Sequence, residues 1–145
     1  MCLSLIITLP EEKQKNAKKI ADKASTDKLI VFEEKRWFKK RSRFLFISKE
    51  NRGCACDLLT DDADWDAETW DIIESYLPDL SLIISSLSEE IPEGFIFEAL
   101  WAGDVQKGKL LVTAEELSKI IRSNKIKIKI TYQVIPPDPL KSAVR

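Results

Sequence analysis

The sequence predicts an α+β fold: a single domain with a mostly antiparallel five-stranded sheet and about three helices packed on it, in the order β-α-β-β-α-β-α-β. Three observations carry this expectation. First, the run 94–101 (Gly-Phe-Ile-Phe-Glu-Ala-Leu-Trp) is apolar on both faces when read with period two, so it needs cover above and below and belongs in the middle of a sheet. Second, several stretches carry apolar residues at helical spacing between the β-type runs. Third, the two kinds of segment interleave without any internal repeat or domain boundary.

In chain order, 3–9 is an apolar run closed by Pro10, long enough for one strand. Thr8 and Glu11 stand at capping-box spacing with Pro10 in the first turn, and Ala17, Ile20, Ala21 and Ala24 form the buried stripe of a helix. The lysines of that helix (Lys13, Lys15, Lys18, Lys19, Lys23) read as its solvated face. Two β-type runs, 28–34 and 43–49, read as a hairpin with a long polar loop. No period is visible from 50 to 65, where Asn51, Gly53 and several aspartates mark a loop.

Trp65 and Trp70 then occupy staple positions around an N-cap at Asp66 and start a second helix. Pro78 predicts a kink or break in it, after which Leu80, Ile83, Ile84 and Leu87 resume the stripe. Past the central strand, 104–108 reads as a turn. Thr113 and Glu116 form a capping box, with Val112 and Leu117 as its staple, for a third helix burying Leu117, Ile120 and Ile121. The last strand alternates: Ile126, Ile128, Ile130, Tyr132 and Val134 inward, Lys125, Lys127 and Lys129 outward, the pattern of a lysine-guarded edge strand. The domain is expected to span 1–135, with 136–145 a disordered tail containing Pro136, Pro137 and Pro139.

Composition narrows the function classes. With 23 Lys and Arg against 24 Asp and Glu the net charge is −1, so no global field recruits nucleic acid or membrane, and any electrostatic function must come from local segregation. The chain contains no histidine, which removes the usual base near neutral pH, the usual partner of a Ser or Cys nucleophile and the commonest metal ligand. The three cysteines (Cys2, Cys54 and Cys56) suit a reducing cytoplasm better than a secreted scaffold. The apolar N-terminus is too short for a membrane span.

Five features could carry chemistry. Arg36, Trp37, Lys39, Lys40, Arg41 and Arg43 mix cations with a ring, as surfaces that bind unpaired nucleic acid do; the alternative is a solvated hairpin loop with Trp37 and Phe38 folded onto the core. Asp57, Asp61, Asp62, Asp64, Asp66, Glu68 and Asp71 make an acidic segment, with Asp61, Asp62 and Asp64 as its candidate contact residues. Asp62, Asp64 and Asp66 imitate the start of a calcium loop, but Ala67 and Ile73 stand where that loop needs glycine and glutamate. The readings left are acids favoured by a helix N-terminus, an acidic surface facing a basic partner protein, or mimicry of a phosphate backbone that blocks a nucleic-acid enzyme. Cys54 and Cys56 are one residue apart where zinc pairs commonly leave two, so they read as ordinary thiols. Glu98, the single charge in the central strand, reads either as an acid–base group or as a carboxylate at a wet part of the face or paired with Lys127 or Lys129. Trp65, Trp70, Phe95, Phe97 and Trp101 read as core more than as a ligand cage.

No catalytic constellation, cofactor motif or metal set emerges. The expectation is therefore a non-enzymatic intracellular interaction protein of inhibitor or immunity type, contacting a partner protein through its charged segments. The alternative is a nucleic-acid-binding module that uses the basic aromatic hairpin 35–43.

Overall fold

The computed structural model describes residues 3–34, 44–49, 58, 67–101 and 106–137. Strand β1 (Leu3–Thr8) leads through a 3-10 turn (Glu11–Asn16) into α1 (Ala17–Ala24). The hairpin β2 (Ile30–Glu34) and β3 (Phe44–Ser48) follows, then α2 (Ala67–Glu90) and β4 (Phe95–Trp101). Strand β5 (Gly108–Thr113), α3 (Ala114–Arg122) and β6 (Ile130–Ile135) complete the described chain. The strands form one sheet in the order β2-β3-β1-β4-β6-β5, antiparallel except for the parallel pair β5 and β6.

The fold class is α+β as expected, with three α-helices on a single sheet, but the sheet has six strands and is mixed. The strand absent from the sequence reading is β5. Its Lys-Leu-Leu-Val core is too short to show a period and runs directly into the capping box at Thr113. The strand adds the parallel pair because α3 returns the chain across the sheet, the connection that parallel neighbours require.

This addition also corrects the last strand. Tyr132 and Val134 face the core, but β6 lies between β4 and β5 and is not an edge. Nor does it start at Lys125. The lysine-rich stretch before Ile130 is the exit from α3: Lys125 N–H donates to Ile120 O at 3.0 Å and Asn124 N–H to Ile121 O at 2.9 Å, with Asn124 at φ 53°. That pair of bonds with a left-handed asparagine is a Schellman ending. Lys129, at φ 74°, then breaks the extended run before β6 begins.

One face of the sheet carries every described helix. Leu3, Leu5 and Ile7, Leu45 and Ile47, Phe95, Phe97 and Ala99, and Tyr132 and Val134 are all buried there. Against them pack Ala17, Ile20, Ala21 and Ala24 of α1, Ile73, Leu80, Ile83, Ile84 and Leu87 of α2, and Leu117 and Ile121 of α3. Trp70 and Trp101 are partly buried against the same core.

Helix α2 continues through Pro78 for 24 residues without breaking. Pro78 and Glu74 lie on the exposed side, where water can take the carbonyl that loses its donor, while Leu77 and Leu80 are buried beside it. Helix α1 departs from expectation at its start: Thr8 ends β1, and neither the 3-10 turn nor α1 has a side-chain cap bond. The capping box of α3 is present in full: Glu116 N–H donates to Thr113 Oγ1 and Thr113 N–H to Glu116 Oε1, both at 3.2 Å. An exposed ion pair between Lys23 and Glu90 ties α1 to α2; its hydrogen bond raises the Lys23 pKa and lowers that of Glu90.

Tyr132 gives the core a pH dependence. Burial pushes the phenol pKa up, partly opposed by the Lys127 N–H, which donates to the phenol oxygen at 2.9 Å. A raised folded pKa means that this stabilisation is complete below the ordinary tyrosine value of about 10 and is lost as pH rises through the folded value. Tyr132→Phe is therefore expected to lower stability by about 1 kcal/mol at neutral pH and to lose less than the wild type above pH ~10, read from urea midpoints at the two pH values. Parallel alkaline losses in both proteins would refute this.

Candidate interaction edge

An open sheet has two edges, and each presents main-chain groups that another strand could pair with. In this sheet the two edges are treated differently. At β2 the exposed side is closed by Ser25, which follows α1. Its hydroxyl accepts from Val31 N–H at 2.9 Å and lies 3.2 Å from Val31 O and 3.0 Å from Ala21 O. Thr26 closes the same turn, with Leu29 N–H donating to Thr26 Oγ1 at 3.1 Å and Thr26 N–H to Leu29 O at 2.9 Å. The outward main-chain groups of Val31 are thus satisfied inside the chain.

Ser25→Ala should cost about 1–2 kcal/mol, because the Val31 N–H loses its acceptor, and should raise self-association by reopening the edge. Urea melts and light scattering read the two effects. An unchanged midpoint would remove Ser25 from this role.

At the other edge, β5 pairs with β6 alone among the described residues. The strand carries Leu110 and Leu111, 46 % and 58 % exposed on opposite faces, while Val112 is buried. Among the described residues, exposed apolar side chains and main-chain groups without a second strand partner therefore coincide on the same short strand. Lys107 and Lys109, both exposed, flank it on the N-terminal side; Glu115, also exposed, stands just past its C-terminal end. The sequence reading missed this edge. The signal available was the Leu110-Leu111-Val112 run itself, which lacks the charge on its apolar face that would place it safely at an edge.

The second face of the sheet holds a further cluster. Across the ladder, Phe32, Phe46, Ile6, Glu98, Thr131 and Lys109 are successive register partners, so the row passes from apolar at β2 to polar at β5. Ile6, Phe44 and Phe46 are buried, with Phe32 stacked on Phe46 at 5.8 Å between ring centres. Glu98 is only 2 % exposed, so it is not at a wet part of the face. Its carboxylate accepts from the Gln106 side-chain amide and from Thr131 Oγ1 at 3.3 Å. These two donors from separate segments hold the carboxylate in place. Among the described residues no group of three His, Cys, Asp or Glu side chains converges to hold a metal ion. No helix among them is long and apolar enough to cross a membrane.

Of the charged segments singled out from sequence, Arg36, Trp37, Lys39, Lys40, Arg41 and Arg43 lie outside the described residues, as do Asp61, Asp62, Asp64, Asp66 and Trp65. The same holds for Cys2, Cys54 and Cys56 and for residues 138–145. Glu34 and Phe44, which flank 35–43, are register partners in the antiparallel pair β2 and β3, so the predicted hairpin pairing is present. Glu68 and Asp71 of the acidic segment lie exposed in the first turns of α2.

No protein-family model, curated protein or solved structure matches this chain.

Proposed function

We propose that this chain is a small interaction protein of inhibitor, immunity or adaptor type, with a binding rather than a catalytic role, and that β5 is where a protein segment docks. The observation that carries the reading is the asymmetry of the two sheet edges: at β2 the outward main-chain groups of Val31 are taken by Ser25, whereas β5, among the described residues, pairs on one side only and carries exposed Leu110 and Leu111. An extended segment added to such an edge gains main-chain hydrogen bonds for affinity and side-chain contacts on alternate faces for specificity. The charged segments around Asp61, Asp62 and Asp64 and around Lys39, Lys40 and Arg41 would steer the encounter and select the partner.

The test is a pull-down from lysate of the source cells that also holds an untagged copy of the chain, comparing wild type with Leu110→Lys and Leu111→Lys. A proteinaceous band, foreign or the untagged copy, that both variants lose while retaining the wild-type circular dichroism is the expected result. Identical bands from all three proteins would refute docking at β5.

One observation favours a second reading. Glu34 and Phe44, the residues on either side of the basic aromatic segment 35–43, are register partners of one hairpin, and a basic segment that carries rings suits binding of an unpaired nucleic acid. The same pull-down decides it: nucleic acid that is retained at low salt, released at high salt and lost on replacing Lys39, Lys40 and Arg41 by alanine would support this reading over the first.

A further inference from the structure

Resting on the reading of β5 as a docking edge, we infer that its occupant is β5 of a second copy of this chain, paired antiparallel about a twofold axis perpendicular to the sheet and centred on Leu111. Such a pair joins the two six-stranded sheets into one continuous sheet with all helices on the same side.

The N-terminal side of β5 carries Lys107 and Lys109, and its C-terminal end runs into Glu115 and Glu116 at the start of α3. An antiparallel copy reverses the order, so the cations of one chain lie against the acids of the other, at both ends of the pair. A parallel copy would set lysine beside lysine and glutamate beside glutamate. The edge is therefore complementary in charge to itself, in one orientation.

The register follows from pleat and hydrogen bonding. A twofold axis normal to the sheet keeps each side chain on its own face, so opposed residues must share a face. Thr113 N–H is turned to Glu116, and the alternation of main-chain direction along a strand then turns Lys109 and Leu111 outward. Centring on Leu111 sets that residue against its own copy, Leu110 against Val112 of the second copy, and Lys109 against Thr113 of the second copy. Lys107 then reaches the first turn of the second copy's α3, where Glu115 stands. The two most exposed leucines of the strand are both covered by this arrangement, one on each face of the sheet.

The purified full chain is tested by sedimentation across a micromolar concentration series and, for register, by zero-length carbodiimide cross-linking of a mixture of unlabelled and nitrogen-15-labelled protein. The expected results are a dimer, conversion to monomer in Leu111→Lys with unchanged circular dichroism, and a mixed-isotope cross-link joining Lys107 to Glu115 or Glu116. A dimer that persists in Leu111→Lys would overturn the inference, because the copies would then meet elsewhere. A wild-type monomer throughout the series would overturn it as well. If that monomer still captures a foreign protein which Leu110→Lys and Leu111→Lys lose, docking at β5 survives and only the identity of the occupant falls; if no capture depends on β5, both fall.

Discussion

Gly94→Ala is expected to destabilise the protein by about 3 kcal/mol or more, a large share of the stability of a domain this size. Two independent causes act together. Gly94 has φ +104°, a conformation that side chains rarely adopt. A Cβ on this residue would also run into the carbonyl oxygen of Val134, which belongs to the neighbouring strand β6 and cannot swing away as a side chain would. The strain is placed where it matters most, because Gly94 N–H donates to Ile91 O at 3.0 Å in the turn that delivers the chain from α2 into β4. Gly108→Ala is the matched control: there a Cβ meets the tip of Ile130 at 2.9 Å, a flexible methyl that can move. Equal shifts of the two urea midpoints would show that backbone geometry at Gly94 is not the cause.

Phe97→Ala is expected to cost about 3–5 kcal/mol, from lost burial and from the cavity left behind. The ring is fully buried on the helix-bearing face of β4, between the register partners Ile7 of β1 and Tyr132 of β6. It meets Tyr132 edge-on, with ring centres 6.3 Å apart and planes at 61°. Because β4 lies between β1 and β6, the loss is felt in both neighbouring strands, at Ile7 and at Tyr132. Phe97→Leu, which keeps much of the volume, should recover most of the loss. A cost under ~1.5 kcal/mol for the alanine variant, measured by urea or thermal melts, would mean that the central core closes over the site and is less tightly determined than the packing implies.

Neither residue binds a partner in the reading developed above. Their variants therefore test the scaffold apart from the edge, whereas Leu110 and Leu111 test the edge apart from the scaffold.

Much of the fold was legible because it depends on residues near each other in the chain. The stripe Ala17, Ile20, Ala21 and Ala24 is buried as its spacing predicts, and the capping box at Thr113 and Glu116 forms with both of its bonds. Strand β4 lies inside the sheet because both of its faces are apolar. Caps, turns and periodicity are local statements of geometry, and a few neighbouring side chains suffice to make them.

Strand order is not local, and there the reading went astray. The alternation around Tyr132 says which side chains turn inward but not what lies beside the strand, so β6 read as an edge until β5 was found outside it. The candidate site was less legible still. The carboxylate of Glu98 is held by Gln106 and Thr131, which the fold brings to it from separate segments, and nothing in the local spacing of β4 announces either donor.

The sequence by itself determined the class of fold, the principal helices and the faces they bury, through hydrophobic period and cap chemistry. Only the tertiary structure decided which strand ends the sheet and which edge is closed. The hydroxyl of Ser25 protects β2 only because α1 lies beside that strand, and Leu110 and Leu111 stay exposed because the crossover through α3 sets β5 outside β6. A side chain's exposure depends on neighbours that the fold brings together, and the spacing of residues along one segment does not contain them.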